Sequence, residues 1–275
     1  MHYFVRIGEM ISQNKIAEFQ KKILDWYHEN QRDLPWRKTR DPYRILISEV
    51  MSQQTQLSRV IPKYEAWIEK FPTIQSLAKA KVSDVLYYWS GLGYNRRALN
   101  LKKTAEIIVE KYNGTFPQDE EVLLSLPGIG HYTARAVLCF AFNRQIAVVD
   151  TNVRKVILTQ ISVSEKDIPQ IAERLLPQGK AYEWNQALMD YAAAVLKKEK
   201  ISIPKQSTFI GSHRYYRGQI LKQLLLKKKI DVNDIGSSIK KDYKESEKEW
   251  LQKLLEELIT EGFIVCKNNT VTLAA

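Results

Sequence analysis

Cysteine is almost missing from this chain of 275 residues: Cys139 and Cys266 are the only two. A disulfide framework is therefore not expected, and neither a four-cysteine metal site nor an iron–sulfur cluster can be assembled within one chain. Cys139 lies in the apolar run AVLCFAF and reads as a small buried hydrophobe. Long apolar runs are also missing, and none approaches the roughly 18–20 residues that span a bilayer. The opening stretch MHYFVRIGEM lacks the basic start and apolar core of a secretory signal, so a cytoplasmic protein without a membrane partner is expected. Strand-like alternation is nearly absent before residue 200, and no internal repeat is visible.

Acidic residues are in deficit. Lysine and arginine number 42 against 31 aspartates and glutamates, a formal charge of +11. That balance favours a polyanionic partner through phosphate neutralisation and counterion release, without identifying one. The 44% hydrophobic content suffices for one large or two modest domains.

Helical spacing dominates what is present. Residues 15–29 place Ile16, Phe19, Ile23 and Trp26 on one face, opposite lysines and glutamates. LPWRKTRDPY (34–43) reads as a loop, and residues 44–70 as one or two helices interrupted at Pro62. Shorter helices are predicted at about 73–80, 82–90, 95–112 and 119–125. Residues 1–200 thus read as an all-α domain, 201–213 as a polar linker, and 214–275 as a winged-helix-like α+β module. In that module, helices at about 214–228 and 244–261 flank a short segment at 231–240, and the pair Asn268-Asn269 turns a final hairpin.

Three local patterns bear on chemistry. In LPGIGHYTA (126–134), a Pro-Gly-x-Gly turn between helices lets backbone N–H groups and a helix N-terminus face an anion. The same residues also suit an ordinary helix–helix turn. In VVDTNV (148–153), Asp150 follows an apolar stretch and precedes a helix. It reads either as a helix N-cap or as a carboxylate held against an apolar wall, where it would stabilise positive charge on a sugar ring. Glu49 stands among Ile45, Leu46, Ile47, Val50 and Met51. It reads either as part of a solvated face or as a desolvated carboxyl protonated near neutral pH, hence a general acid. Glycosidic cleavage characteristically uses two carboxyl groups in these two roles.

Taken in order, LPWRKTRDPY, SEVMSQQTQ, GLGYNRRALNL, LPGIGHYTARAV and VVDTNV resemble the helix-hairpin-helix/Gly-Pro-Asp (HhH-GPD) DNA glycosylases, most closely the adenine-specific MutY branch, over residues 15–196. The resemblance implies a two-lobed helical domain with double-stranded DNA in its cleft and the target base flipped into a pocket. It implies that Glu49 protonates the adenine and Asp150 stabilises the sugar cation, with Asn152 supporting both and Arg37 in the base pocket. It places Gln54, flanked by Gln53 and Thr55, in the base stack near the orphan base, and Tyr94 as a wedge. Leu126, Gly128, Gly130, His131 and Thr133 fall on the DNA-binding hairpin, whose carbonyls in this superfamily often hold a monovalent cation; no other metal is expected. Bifunctional members carry lysine where this chain has Tyr132. A phenol cannot form a Schiff base, so a monofunctional enzyme leaving an abasic site is expected.

Two departures accompany the resemblance. Leu196 stands where the first iron–sulfur cysteine is expected, so a cluster-free protein is expected. The C-terminal stretch is also too short and too helical for the Nudix-like domain that recognises 8-oxoguanine in many adenine glycosylases. Its thirteen basic and nine acidic residues beyond position 204 suit either DNA contact or packing alone. A monomeric, nucleoid-associated repair enzyme removing adenine opposite guanine or 8-oxoguanine is the leading expectation, supported by Glu49 within SEVMSQQT. A thymine or uracil mismatch glycosylase and a non-catalytic DNA-binding protein are the alternatives, and binding alone requires neither Glu49 nor Asp150.

Overall fold

The computed structural model describes residues 11–161, 163–199 and 208–274. They divide into two compact units, the first from residues up to 49, 118–125 and 129–199, the second from 50–117, 126–128 and 208–274. Among the described residues there is no strand before residue 229 and no helix long and apolar enough to cross a membrane.

The first unit is built around α11 (Ala181–Ala194), which buries ten residues, from Ala181 and Trp184 through Asp190 to Ala192. Helix α1 (Gln13–Asn30) packs on it. Ser12 caps α1 by accepting from the Lys15 N–H, and Ile16, Phe19, Ile23, Leu24 and Tyr27 form its buried stripe. Trp26, expected inside, is only half-buried and meets the Tyr191 ring edge-on at 5.2 Å. Helix α2 (Pro42–Ser52) brings Glu49 to the end of this unit. Helices α7 (Glu120–Leu124), α8 (His131–Phe142), α9 (Thr151–Ile161) and α10 (Ile168–Leu175) complete it.

The second unit contains α3 (Leu57–Lys70), α4 (Ile74–Ala78), α5 (Val82–Trp89), α6 (Arg96–Tyr112) and the C-terminal segment. The break expected at Pro62 falls instead at residues 53–56, because Pro62 lies inside α3. Six residues into a helix the ring removes one hydrogen bond but need not end the element. The actual break contains Gln54, whose φ of 54° no helix permits.

The C-terminal segment runs α12 (His213–Lys227), β1 (Lys229–Asp231), α13 (Val232–Ile239), α14 (Lys248–Thr260), β2 (Ile264–Lys267) and β3 (Thr270–Leu273). The expected hairpin forms, with Asn268 and Asn269 both at positive φ (49° and 60°), as a two-residue type I′ turn requires. The sheet has three antiparallel strands in the order β1-β3-β2, with Ile230 opposite Val271. β1 escaped detection because three residues show too little alternation to register.

Of the two readings of residues 214–275, DNA contact or packing, packing is visible directly. Their apolar face closes over α5 and α6, and Leu221, Leu224, Leu254, Leu258 and Phe263 share one core with Val82, Leu86 and Leu99. Of the linker expected at 201–213, residues 201–207 lie outside the described residues, and 208–212 lead into the α12 cap Ser212. Leu254 is fully buried in that shared core. Leu254→Ala should therefore destabilise the second unit as a whole by about 2–4 kcal/mol. Denaturation followed both by Trp89 fluorescence and by a probe on β3 should show the two signals shifting together. A β3 signal that moves alone would mean the module has a core of its own.

Candidate functional site

In the first unit, Glu49, Tyr132, Asp150, Asn152 and Arg37 are brought together. Tyr132, in the first turn of α8, donates its phenolic O–H to Glu49 Oε2 at 2.6 Å. Asp150 caps α9: its Oδ1 accepts from the Val153 N–H at 2.7 Å and its Oδ2 from the Asn152 side-chain amide at 2.7 Å. The two readings of Asp150 are thus compatible, since the cap is what fixes the carboxylate in place. Each of the three ionisable side chains keeps part of its surface accessible.

Burial is the largest influence on all three. It pushes the Glu49 carboxyl up to about 7, with the hydrogen bond from Tyr132 pulling it down, the charge of Asp150 pushing it up and Arg37 pulling it down. Burial also raises Asp150 above its ordinary value, opposed by the bonds from Val153 and Asn152. Tyr132 is raised well above 10 by burial and by the two carboxylates, so its phenol stays a donor. Both carboxyl groups are thus raised by the same enclosure, each against its own set of donors. Glu49 titrates near neutrality, while helix and amide donors favour the ionised form of Asp150.

Two further residues hold this arrangement, and neither was singled out from the sequence. Asn185 of α11, 1% exposed, accepts from the Val148 N–H at 2.7 Å and donates to the Ile146 and Ala181 carbonyls at 3.1 and 2.8 Å. It fixes the extended segment that delivers Asp150 to its cap. Asp190, fully buried one face along, accepts from both terminal nitrogens of Arg37 at 2.7 Å and from Arg32 Nε at 2.6 Å. Burial would raise that carboxyl, but the bonds from Arg37 and Arg32 hold it below the ordinary carboxylate range. The available signal was polar: Asn185 and Asp190 interrupt an otherwise apolar helical run, where an unpartnered polar group would be costly.

The remaining hairpin residues of the first unit divide by exposure. Gly130 caps α8, and His131 is largely exposed, 3.6 Å from Glu120. Thr133 is 2% exposed, and in the second unit Leu126 is 3% exposed. Their side chains are buried, so what this expected DNA-binding turn offers at these two positions is backbone. Gly128, at φ +76°, has room for nothing larger: a Cβ would stand 2.6 Å from the Asn100 amide and 2.9 Å from its Cβ.

Elsewhere in the second unit, Gln54 and Tyr94 project from two loops, both at positive φ (54° and 48°), and Tyr94 is 45% exposed. Arg97 clamps these loops, donating to the Val50 and Gln53 carbonyls at 2.7 and 2.8 Å and to those of Leu92 and Gly93 at 3.0 and 3.1 Å. With only neutral acceptors, burial lowers its pKa to about 10. Gln53 receives this clamp through its carbonyl, which also accepts from Thr55 Oγ1 at 3.1 Å.

Comparison with known proteins places these features in context. Residues 47–179 match the model of the HhH-GPD superfamily of base excision DNA repair proteins. An adenine DNA glycosylase of Mycolicibacterium smegmatis is 44% identical over 181 residues, covering 63% of this chain and 62% of that protein. An adenine DNA glycosylase of Mycobacterium tuberculosis is 41% identical over 182 residues, covering 63% and 60%. The chain therefore spans only about six-tenths of these relatives' lengths. A solved thermostable thymine-DNA glycosylase superposes with a TM-score of 0.62 at 34% identity, over 66% of this chain and 87% of that one. An endonuclease III–DNA complex, at 22% identity and a TM-score of 0.58, shares the fold.

The Glu49 environment has a consequence for stability. Its folded value of about 7 exceeds the ordinary 4.5, so its contribution is fully present below about 4.5 and is lost as pH rises through 7. Above that, the ionised group costs on the order of 2 kcal/mol once solvent screening is allowed for. Glu49→Gln should raise the Tm by several degrees at pH 8, the gain shrinking toward pH 5. An equal shift at both pH values in calorimetry would contradict the assigned environment.

Proposed function

The chain belongs to the HhH-GPD superfamily of base excision DNA repair proteins, and from that membership we propose that it is a monofunctional DNA glycosylase removing mispaired adenine. The observation that carries the reading is the hydrogen bond from Tyr132 to Glu49, 2.6 Å long, beside the capped carboxylate of Asp150. Near neutral pH, Tyr132 holds one oxygen of Glu49 and leaves the other to carry the proton. Glu49 gives that proton to a ring nitrogen of the flipped adenine. The bond between base and deoxyribose then breaks, its electron pair leaving with the base, and the carboxylate of Asp150 stabilises the positive charge on the sugar. Water adds at that carbon and its released proton restores Glu49, leaving an abasic site. Asn152 keeps Asp150 oriented, and Arg37, held by Asp190, borders the base pocket. With a phenol at position 132 there is no amine to open the sugar, so the strand stays intact.

An iron–sulfur cluster does not fit the donors present. Of the two cysteines, Cys139 is buried beside Asn185 with its thiol pushed up to about 12, and Cys266 lies on β2 of the other unit. Leu196 is 6% exposed and packs as a hydrophobe. The proposed enzyme works without a cluster, on double-stranded DNA, as a monomer in the bacterial nucleoid.

The second reading, excision of thymine or uracil opposite guanine, is favoured by the 34% identity to a thymine-DNA glycosylase. Duplexes carrying A:8-oxoguanine, A:G, A:C, T:G and U:G, treated with alkali after incubation, separate the two. Scission at the adenine-containing pairs, and only after alkali, is expected; scission confined to T:G and U:G would replace the adenine reading. Under single turnover the rate should fall about tenfold per pH unit above 7, as Glu49 loses its proton. Tyr132→Phe removes the bond that lowers Glu49, so the alkaline limb should move to higher pH. Asp150→Asn should cost about 10²–10³-fold in rate while DNA binding persists.

A further inference from the structure

The second unit carries a cavity of about 730 Å³ to which the catalytic assignments give no role. Its walls come from two distant parts of the chain. Gln54, Arg59, Tyr94 and Arg96 come from one part, and Phe209 and Arg214, from the start of the C-terminal segment, come from the other. We propose that this cavity is a groove for a DNA strand, in which Phe209 and Arg214 hold an unstacked base while Arg59 and Arg96 hold its backbone. The inference rests on the reading of the protein as a DNA-acting enzyme and extends it to a segment outside the matched residues 47–179.

The charge of the walls points to a polyanion. Five arginines and His213 line the cavity against one acid, Glu261, and Glu257, which pairs with Arg217 and His213, raises the acids only to two. The aromatic content points to bases in particular. Phe209 is 55% exposed, a large apolar surface left to water at the mouth of a cationic cavity. The Arg214 guanidinium lies 5.8 Å from its ring centre, so a planar cation and an aromatic face stand together, the pair on which nucleobases stack. Phe209 is supported from behind by edge-to-face contacts running from Tyr215 at 5.5 Å to Tyr216 and Trp250. Gln54 and Tyr94, which also line the cavity, are large residues held at positive φ, a costly conformation that persists only where the surroundings impose it. Arg97 braces both loops through the carbonyls of Val50, Met51, Gln53, Leu92 and Gly93, so the backbone that carries the two side chains is held.

The test uses the full chain and a fluorescent duplex with adenine opposite 8-oxoguanine, read by anisotropy. Phe209→Ala and Arg214→Ala should each raise Kd about tenfold, the scale expected for losing one stacked base. Arg214→Ala should also flatten the salt dependence of Kd. Lys228→Ala, exposed just beyond the far end of α12 and away from the cavity, should stay within twofold of the parent. Both altered side chains are at least partly exposed, and matching melting curves will confirm an intact fold. Kd values for Phe209→Ala and Arg214→Ala within twofold of the parent would overturn the groove. So would displacement of the duplex by polyglutamate as effectively as by single-stranded DNA, which would assign the cavity to acidic peptides. A parent protein that binds the duplex yet excises nothing would overturn the adenine reading while leaving the Kd comparison decisive for the groove. A parent that binds no duplex would overturn both.

Discussion

The hydrogen bond from Tyr132 to Glu49 is the interaction on which the proposed chemistry depends. Enclosure drives the Glu49 carboxyl upward and favours its neutral form. Asp150 pushes in the same direction, whereas the phenol and Arg37 pull back, and the balance comes to rest at about 7. A proton held at that value is available to a leaving base and recoverable from water. Remove the enclosure and Glu49 becomes an ordinary surface carboxylate; remove the phenol and it holds its proton too tightly to serve as a well-matched acid.

This balance is maintained by helix α11 of the same unit. Asn185 secures the backbone leading to Asp150, and Asp190 secures Arg37, so two polar side chains on one buried helix govern both flanks of the site. Leaving either partner unmatched would bury an unsatisfied amide or charge, which makes the arrangement stiff. The second unit shows the same economy in Arg97, a single guanidinium that fixes two strained loops by binding only backbone oxygen.

How much of this was legible in the sequence follows from the range of each signal. Helix positions depend on local spacing and caps, and the segments expected at 82–90, 95–112 and 214–228 form as Val82–Trp89, Arg96–Tyr112 and His213–Lys227. The Asn268-Asn269 turn was readable because its conformation is a property of two residues. Glu49 and Asp150 were nameable because each is a carboxylate in an apolar setting. That Tyr132 touches Glu49 across 83 positions was not legible, nor was the dependence of Asp150 on Asn185. The inward direction of the Leu126 and Thr133 side chains was not legible either, because a motif marks a turn without saying which side chains point inward. Composition marks a shift near residue 200 but carries no information on the core shared by Leu254, Leu86 and Leu99, which lie far apart in the chain.

The central claim concerns one carboxyl group and can be measured on it directly. With glutamate carbon-13 labelled at its carboxyl, the signal absent from Glu49→Gln identifies Glu49 in the spectrum of the parent protein. Its titration is predicted to have a midpoint near pH 7. A midpoint near 4.5, the ordinary value for glutamate, would contradict the account, because Glu49 would then have no proton to give at neutral pH.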